Sequence, residues 1–543
     1  MSDRPIKLGY VTAVTGAKVC GVLAQPEAGS AEEARFNKAV QIGSLLKVRT
    51  PRSIAFGVAS TLEIENPSTP PHPDDRRVIE IDLFGEVLIS DDPSAAHGGF
   101  SFQRGVSIYP GLGSAIYDTT HDELSQIYAR PESANIHIGN LHQDASLPVY
   151  VTTDELLGKH FAVLGTTGSG KSCSLAVLLR SVLEAHPWGH IVLLDPHNEY
   201  SAAFGDSAEV ITPENLQLPY WMLNFEELTE VLCTKEGASR DAEANILKEA
   251  VVEAKRAFMG DDAATLGNFI TVDTPLPYQL SSLSQFIQKG MGALEKAEQS
   301  RPYLRLVARI DSLRRDKRFA FMFAGLKVSD TMADVVSKIL RIPVEDRPVS
   351  IFDLSGVPSE IVDVVVSLMC RMIFDFAIWS PREESIPILL VCEEAHRYIP
   401  RDHSGFQPTR EAISRIAKEG RKYGVSLGLV TQRPSELSET ILSQCNTIFA
   451  LRMSNDQDQD FVSKVVPESG MGLIKSLPAL RSQEAVVIGE AVTLPMRIRF
   501  KDLEPDQRPA SDTAVFSQSW QAQEQPEWEL IYETIERWRH QVR

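Results

Sequence analysis

The chain has 543 residues, 43% of them hydrophobic and 23% charged, with a formal net charge of −19. Its length points to about three to four structural units; its composition is that of a soluble globular protein, and its charge argues against a simple basic nucleic-acid binder while leaving open a ring motor with a few basic pore loops. No apolar run reaches the ~18 residues of a membrane span, the start MSDRPIKLGY lacks a signal-peptide form, so a cytoplasmic protein without a membrane partner is expected, and the six cysteines (20, 173, 233, 370, 392 and 445) are too scattered for a metal site and read as reduced core residues.

Residues 1–150 carry short β-like runs at 8–14, 19–23, 45–48, 78–81 and 87–89, with proline-rich punctuation at 66–73. Short helices are expected at 32–42 and 122–128. This pattern predicts a small β-barrel without a catalytic constellation, serving either assembly and partner docking or simple packing.

Residues 151–225 open an α/β core. Positions 160–180 read HFAVLGTTGSGKSCSLAVLLR. The apolar run 161–164 suits a buried strand, and a helical pattern begins at Ser174. Between them lies a glycine-rich turn. Glycines let backbone N–H groups curl around a phosphate, and the new helix turns its positive end toward the anion. Gly165, Thr167, Gly168, Ser169, Gly170, Lys171, Ser172 and Cys173 form the expected ATP-binding set. Lys171 would reach the β- and γ-phosphates and Ser172 would hold Mg²⁺. A second apolar run, 191–194, ends in Asp195, with Glu199 following; these acids either touch Mg²⁺ or water, or cap the next element.

Residues 226–345 read as an inserted helical bundle, with helices expected at 241–258, 283–297, 303–314 and 331–340. Arg301, Arg305 and Arg309 fall on one helical face, followed by Arg314, Arg315, Lys317 and Arg318. The strip is either a phosphate- or subunit-contacting surface or a solvated face.

Residues 346–500 resume the core. The apolar run 386–392 ends in Glu393 and Glu394, the strand-end acids of a nucleotide motor. Glu393 is assigned to the Mg²⁺ shell and Glu394 to the general base. Another strand, 425–430, ends near Gln432, whose amide is placed to sense the γ-phosphate. For an arginine acting on a neighbouring subunit's site, Arg421 comes first and Arg415 and Arg433 after it; each reads equally well as a surface residue. Further strands are expected at 447–451, 485–488 and 496–500. Residues 501–543 form a polar tail in which 527–538 has amphipathic helical spacing.

The ordered set GTTGSGKS (165–172), DPHNEY (195–200), LPYWMLNFEEL (218–228), LLVCEEAHRYIP (389–400), EGRKYGVSLGLVTQRPSEL (419–437) and LSQCNTIFALR (442–452) resembles the HerA family, in the FtsK–HerA branch of RecA-like motors. The resemblance covers about residues 7–500. It implies a RecA-like P-loop core with an N-terminal β-barrel and an inserted helical bundle, assembled as a homohexamer that hydrolyses Mg²⁺-ATP and translocates double-stranded DNA. It implies a partner: a NurA-like or other nuclease in end processing, or, in anti-phage defence, a sirtuin-like NAD-consuming protein. It assigns Lys171, Ser172, Glu394 and Gln432 their ATPase roles and suggests Lys159 as a further basic residue reaching the nucleotide. Glu393 departs from the Asp that many motors carry. The rival reading is an ATP-binding ring scaffold that regulates an effector enzyme and moves DNA little. A conjugation-type or FtsK-like pump would require a membrane anchor.

Overall fold

A computed structural model of the chain describes residues 5–26, 30–65, 67, 75–89, 102–235, 237–260, 269–292, 297–323, 328–402, 405–467, 470–510, 517, 520 and 528–540. Its first unit is antiparallel. Strands β1 (Lys7–Thr15), β2 (Lys18–Leu23), β3 (Leu45–Arg49), β4 (Ser53–Glu65), β5 (Arg76–Leu88), β6 (Phe102–Arg104) and β7 (Ala115–Asp118) lie in the order β2-β1-β7-β3-β4-β5-β6. A further pairing of β2 with β5 closes the barrel and leaves β6 as an added edge. Alternating inward residues, among them Leu8, Val19, Val48, Ile79, Ile81 and Ile116, fill it. The short helices observed at Ala31–Ala39 and His121–Ile127 fall where spacing places them.

The barrel is shorter than the 1–150 expected. Strands β8 (Asn135–Leu141) and β9 (Pro148–Thr152) pair with each other and, through β8, with the core sheet. The remaining core strands are β10 (Phe161–Leu164), β11 (His190–Asp195), β12 (Ala208–Ile211), β13 (Val349–Asp353), β14 (Ile388–Cys392), β15 (Val425–Thr431), β16 (Thr447–Leu451), β17 (Glu484–Gly489) and β18 (Met496–Phe500). Among the described residues they form an 11-stranded sheet in the order β12-β13-β11-β14-β15-β10-β16-β17-β18-β8-β9. Neighbours from β12 to β16 run parallel and those from β16 to β9 antiparallel. The parallel strands are nearly continuous apolar runs because helices cover both faces. Their carboxyl ends share one edge, where open α/β sheets place ligands. This is the RecA-like arrangement expected of a P-loop core.

Between β12 and β13 the chain leaves the sheet for helices Phe225–Leu232, Ala238–Met259, Leu280–Gly292, Arg301–Arg315 and Met332–Leu340. The expected helix 283–297 runs partly outside the described residues. The arginine strip is exposed along its length, as a solvated or contacting face would be. Arg305 reaches buried Glu243 at 3.5 Å and Arg309 Nε donates to Val231 O at 3.0 Å, both arginines staying exposed, while Leu306, Ile310 and Leu313 fill the bundle's interior. A buried ion pair joins insert and core: Arg371, on helix Ser359–Trp379, meets Glu227 on Phe225–Leu232 at 3.0 Å.

The tail crosses back over the core, where Ala510 N–H donates to Glu199 O at 2.8 Å. Helix Trp528–His540 then stands with Trp528, Tyr532 and Trp538 exposed. Among the described residues no helix is long and apolar enough to cross a membrane. The six cysteines are free.

Candidate nucleotide site

The site grows from the sequence β10–turn–helix. Buried Phe161–Leu164 lies between β15 and β16, which fixes where the turn begins. Gly165 N–H donates to Thr431 O at 3.3 Å and Thr166 N–H to Arg452 O at 3.0 Å, tying the turn's start to the ends of both neighbours. Gly168 (φ 72°) and Gly170 (φ 97°) adopt left-handed backbone, which a side chain would strain. Ser169 Oγ–H donates to Thr166 O at 2.6 Å, drawing the turn closed. Helix Lys171–Ala185 begins at Gly170 with no side-chain cap, so its first-turn N–H groups remain for an anion. Among them are those of Ser172 and Cys173.

Lys171 is buried and its Nζ donates to Thr166 O at 3.4 Å. Burial lowers the proton affinity of its ammonium, and Glu393, Glu394 and Glu199 pull it back up. These acids arrive from two strand ends. β14 stops at Cys392, and Glu393 and Glu394 follow, both 3% exposed and so shielded from solvent. Tyr200 Oη–H donates to Glu393 Oε2 at 3.0 Å. Burial, with the charge of Glu394 beside it, pushes the Glu393 carboxyl up to about 8. Gln432, just past β15, joins turn to acid: Thr167 Oγ1–H donates to Gln432 Oε1, and Gln432 Nε2–H donates to Glu394 Oε1. Ser172 Oγ–H donates to Glu199 Oε2.

The structure thus gathers Thr167, Lys171, Ser172, Glu393, Glu394 and Gln432 in one place and adds Glu199. Asp195 stands apart from them in role: its carboxylate accepts the N–H of His197 at 3.2 Å and of Tyr200 at 3.0 Å, capping the turn that delivers Glu199. Three carboxyl groups and a serine hydroxyl gather hard oxygen donors around one ammonium. That set fits Mg²⁺.

Other expected residues lie elsewhere. Lys159 sits before the amino end of β10, opposite the turn, bound to Glu155 at 2.5 Å and to Glu490. It does not reach the turn of its own chain. Arg421 is exposed at the same end, close enough to His160 that its charge adds to burial in lowering that ring's proton affinity. Arg415 lies over the Phe374 ring, 4.8 Å from its centroid, which occupies its guanidinium within the fold. Arg433, beside Gln432, pairs with Glu436 at 2.8 Å on the surface.

Sequence reasoning missed Tyr200 as the partner of Glu393, and His396. His396 Nδ1 is 3.3 Å from Glu394 Oε2 and 3.0 Å from Thr431 Oγ1. The DPHNEY and EEAH segments hold both residues, but nothing in their spacing says that they meet the acids.

Residues 136–373 match the family described as the central domain of helicase HerA. The chain is 27% identical over 431 residues to the DNA double-strand break repair helicase HerA of Pyrococcus furiosus, covering 72% of this chain and 74% of that protein. It is 27% identical over 402 residues to the DNA double-strand break repair helicase HerA of Sulfurisphaera tokodaii, covering 73% and 74%. Among solved structures, VirB4 of Thermoanaerobacter pseudethanolicus aligns with 69% of this chain and 98% of its own at 18% identity, with a TM-score of 0.49. The family match and the two HerA relatives bear out the resemblance read from the motifs.

Proposed function

We propose that this HerA-type, ATP-hydrolysing P-loop enzyme works as a homohexameric ring, binds Mg²⁺-ATP at its subunit seams and translocates double-stranded DNA, with a partner nuclease or NAD-consuming protein, in DNA end processing or anti-phage defence. The observation that carries the reading is the bridge Thr167–Gln432–Glu394, which links the phosphate turn to the hydrolytic acid across two strand ends. The N–H groups of the turn and helix start hold the phosphates, and Lys171 neutralises charge on the transferring phosphoryl group. Ser172 and Glu393, with Glu199 beside them, would hold Mg²⁺, which when bound offsets charge on the phosphate oxygens. Glu394 orients the attacking water and accepts its proton. Gln432 touches turn and acid together, so occupancy of the turn bears directly on the acid's pose. Arg421 lies at the far end of the strands from its own turn, which supports a role only in a neighbour's site; cyclic symmetry would bring one subunit's face against the other face of the next.

A scaffold ring that moves DNA little is favoured by one fact, the net charge of −19. ATP hydrolysis with and without double-stranded DNA, over a salt series, separates the readings. A translocase is stimulated by the duplex, and the stimulation falls as salt displaces phosphate contacts. A rate indifferent to DNA at every salt would select the scaffold.

A further inference from the structure

We propose that His396 is a positioning residue for hydrolysis, holding the Glu394 carboxylate on the side that Gln432 leaves open; the inference rests on the ATPase reading above. The local backbone prepares this contact. Glu394 adopts left-handed backbone (φ 50°, ψ 45°), an unfavourable choice for a residue with a Cβ. The following turn, Ala395–Arg397, carries the chain back on itself, with Arg397 N–H donating to Glu394 O at 2.9 Å. His396 is thereby returned to the acid two residues before it.

The two carboxylate oxygens are treated differently. Oε1 accepts from Gln432 Nε2–H. Oε2 is buried, receives no well-formed hydrogen bond and faces His396 Nδ1 at 3.3 Å. The same Nδ1 stands 3.0 Å from Thr431 Oγ1, which accepts the Arg433 N–H at 3.1 Å. Burial lowers the proton affinity of the ring despite the nearby Glu394 charge, so one nitrogen carries a proton near neutral pH. Two oxygens face Nδ1. A proton there serves both, whereas a lone pair there would oppose the carboxylate.

A carboxylate held at one oxygen turns freely about its last torsion, which has a broad minimum. A second contact at Oε2 fixes its plane. Thr431 keeps the ring in place, and because its carbonyl also accepts the Gly165 N–H, ring and phosphate turn share one anchor. The 3.3 Å separation is that of a loose contact able to tighten once water and nucleotide are bound.

Three variants test this: His396→Asn, whose amide nitrogen can stand near Nδ1; His396→Gln, whose amide reaches toward Nε2; and His396→Ala. The expected result is kcat close to wild type for His396→Asn and lowered about 10- to 100-fold for His396→Gln and His396→Ala, as misplacing a reacting group does, with KM for ATP unchanged in all. Wild-type kcat in all three, or an equal loss in all three, overturns the proposal. If His396→Ala does not fold, the Asn and Gln pair decides alone. Lys171→Ala assayed alongside keeps the two readings apart: wild-type turnover in that variant refutes the ATPase site itself, while its inactivity beside fully active His396 variants refutes only the positioning role.

Discussion

Replacing Arg371 by Met tests how the helical insert is fastened to the core. Glu227 is 0% exposed, and its carboxylate accepts from Arg371 Nε at 3.1 and 3.2 Å and from Nη2 at 3.0 Å. Ser367 Oγ–H at 2.9 Å and Asn224 N–H at 2.9 Å complete its shell. Arg371→Met removes the only cation among these donors and strands a charge in a dry setting. The expected cost is about 3–5 kcal/mol. The double variant Glu227→Met/Arg371→Met leaves no buried charge behind, only the part-exposed Asp375 without its cation, and should recover at least about half of that loss, less the capping interaction it also deletes. Urea unfolding followed by tryptophan emission is the assay. Trp221, 2% exposed, lies in the same segment, while Trp188, Trp379, Trp520, Trp528 and Trp538 are each at least 72% exposed and will change little. A single-variant loss under about 1 kcal/mol, the range of surface ion pairs, would refute the claim that this pair is dry and fastens the insert.

Gln432→Ala leaves one oxygen of buried Glu394 without its donor and frees Thr167; steady-state assays should show kcat down about 5- to 150-fold, equivalent to about 1–3 kcal/mol. Burial pulls Lys255 down to about 8 while its Nζ donates to Val272 O and Thr274 O, each at 2.6 Å. Between that value and the ordinary lysine pKa the unfolded chain binds a proton that the folded chain does not, so stability rises with pH. From pH 7.5 to 10, unfolding measurements should show wild type gaining about 2–3 kcal/mol relative to Lys255→Met. Gly472→Ala would set a Cβ 2.1 Å from Ser60 Cβ and 2.9 Å from Asp82 Oδ2, forcing helix Met471–Ile474 off the barrel. Thermal unfolding should show a loss of about 1–3 kcal/mol.

Much of this was legible because it is local. The strand, glycine turn and helix at 161–185 are contiguous, and the residues whose chemistry matters follow apolar runs directly, as Glu393, Glu394 and Gln432 do. Parallel strands covered on both faces announce themselves as such runs. What depends on distant pairing was not legible. Strands β8 and β9 look like the barrel strands before them, and only their ladder with β18 assigns them to the core. Arg305 and Arg309 lie on the exposed strip that their spacing announces, but the partners they reach, Glu243 and Val231, lie 62 and 78 residues away. Lys159 precedes the phosphate turn by few residues, but β10 intervenes and places it at the other end of the sheet. Asp195 and Glu199 were interchangeable as acids until the turn between them showed which one caps and which one faces Ser172.

The central claim is that Glu394 acts on water at the site that the turn around Lys171 forms. Its most direct test is ATP binding and single-turnover hydrolysis measured on the same preparation of Glu394→Gln. Nucleotide affinity should stay near wild type while hydrolysis slows about 10²- to 10⁴-fold, the contribution of a general base. Hydrolysis at the wild-type rate by a variant that binds ATP normally would contradict it.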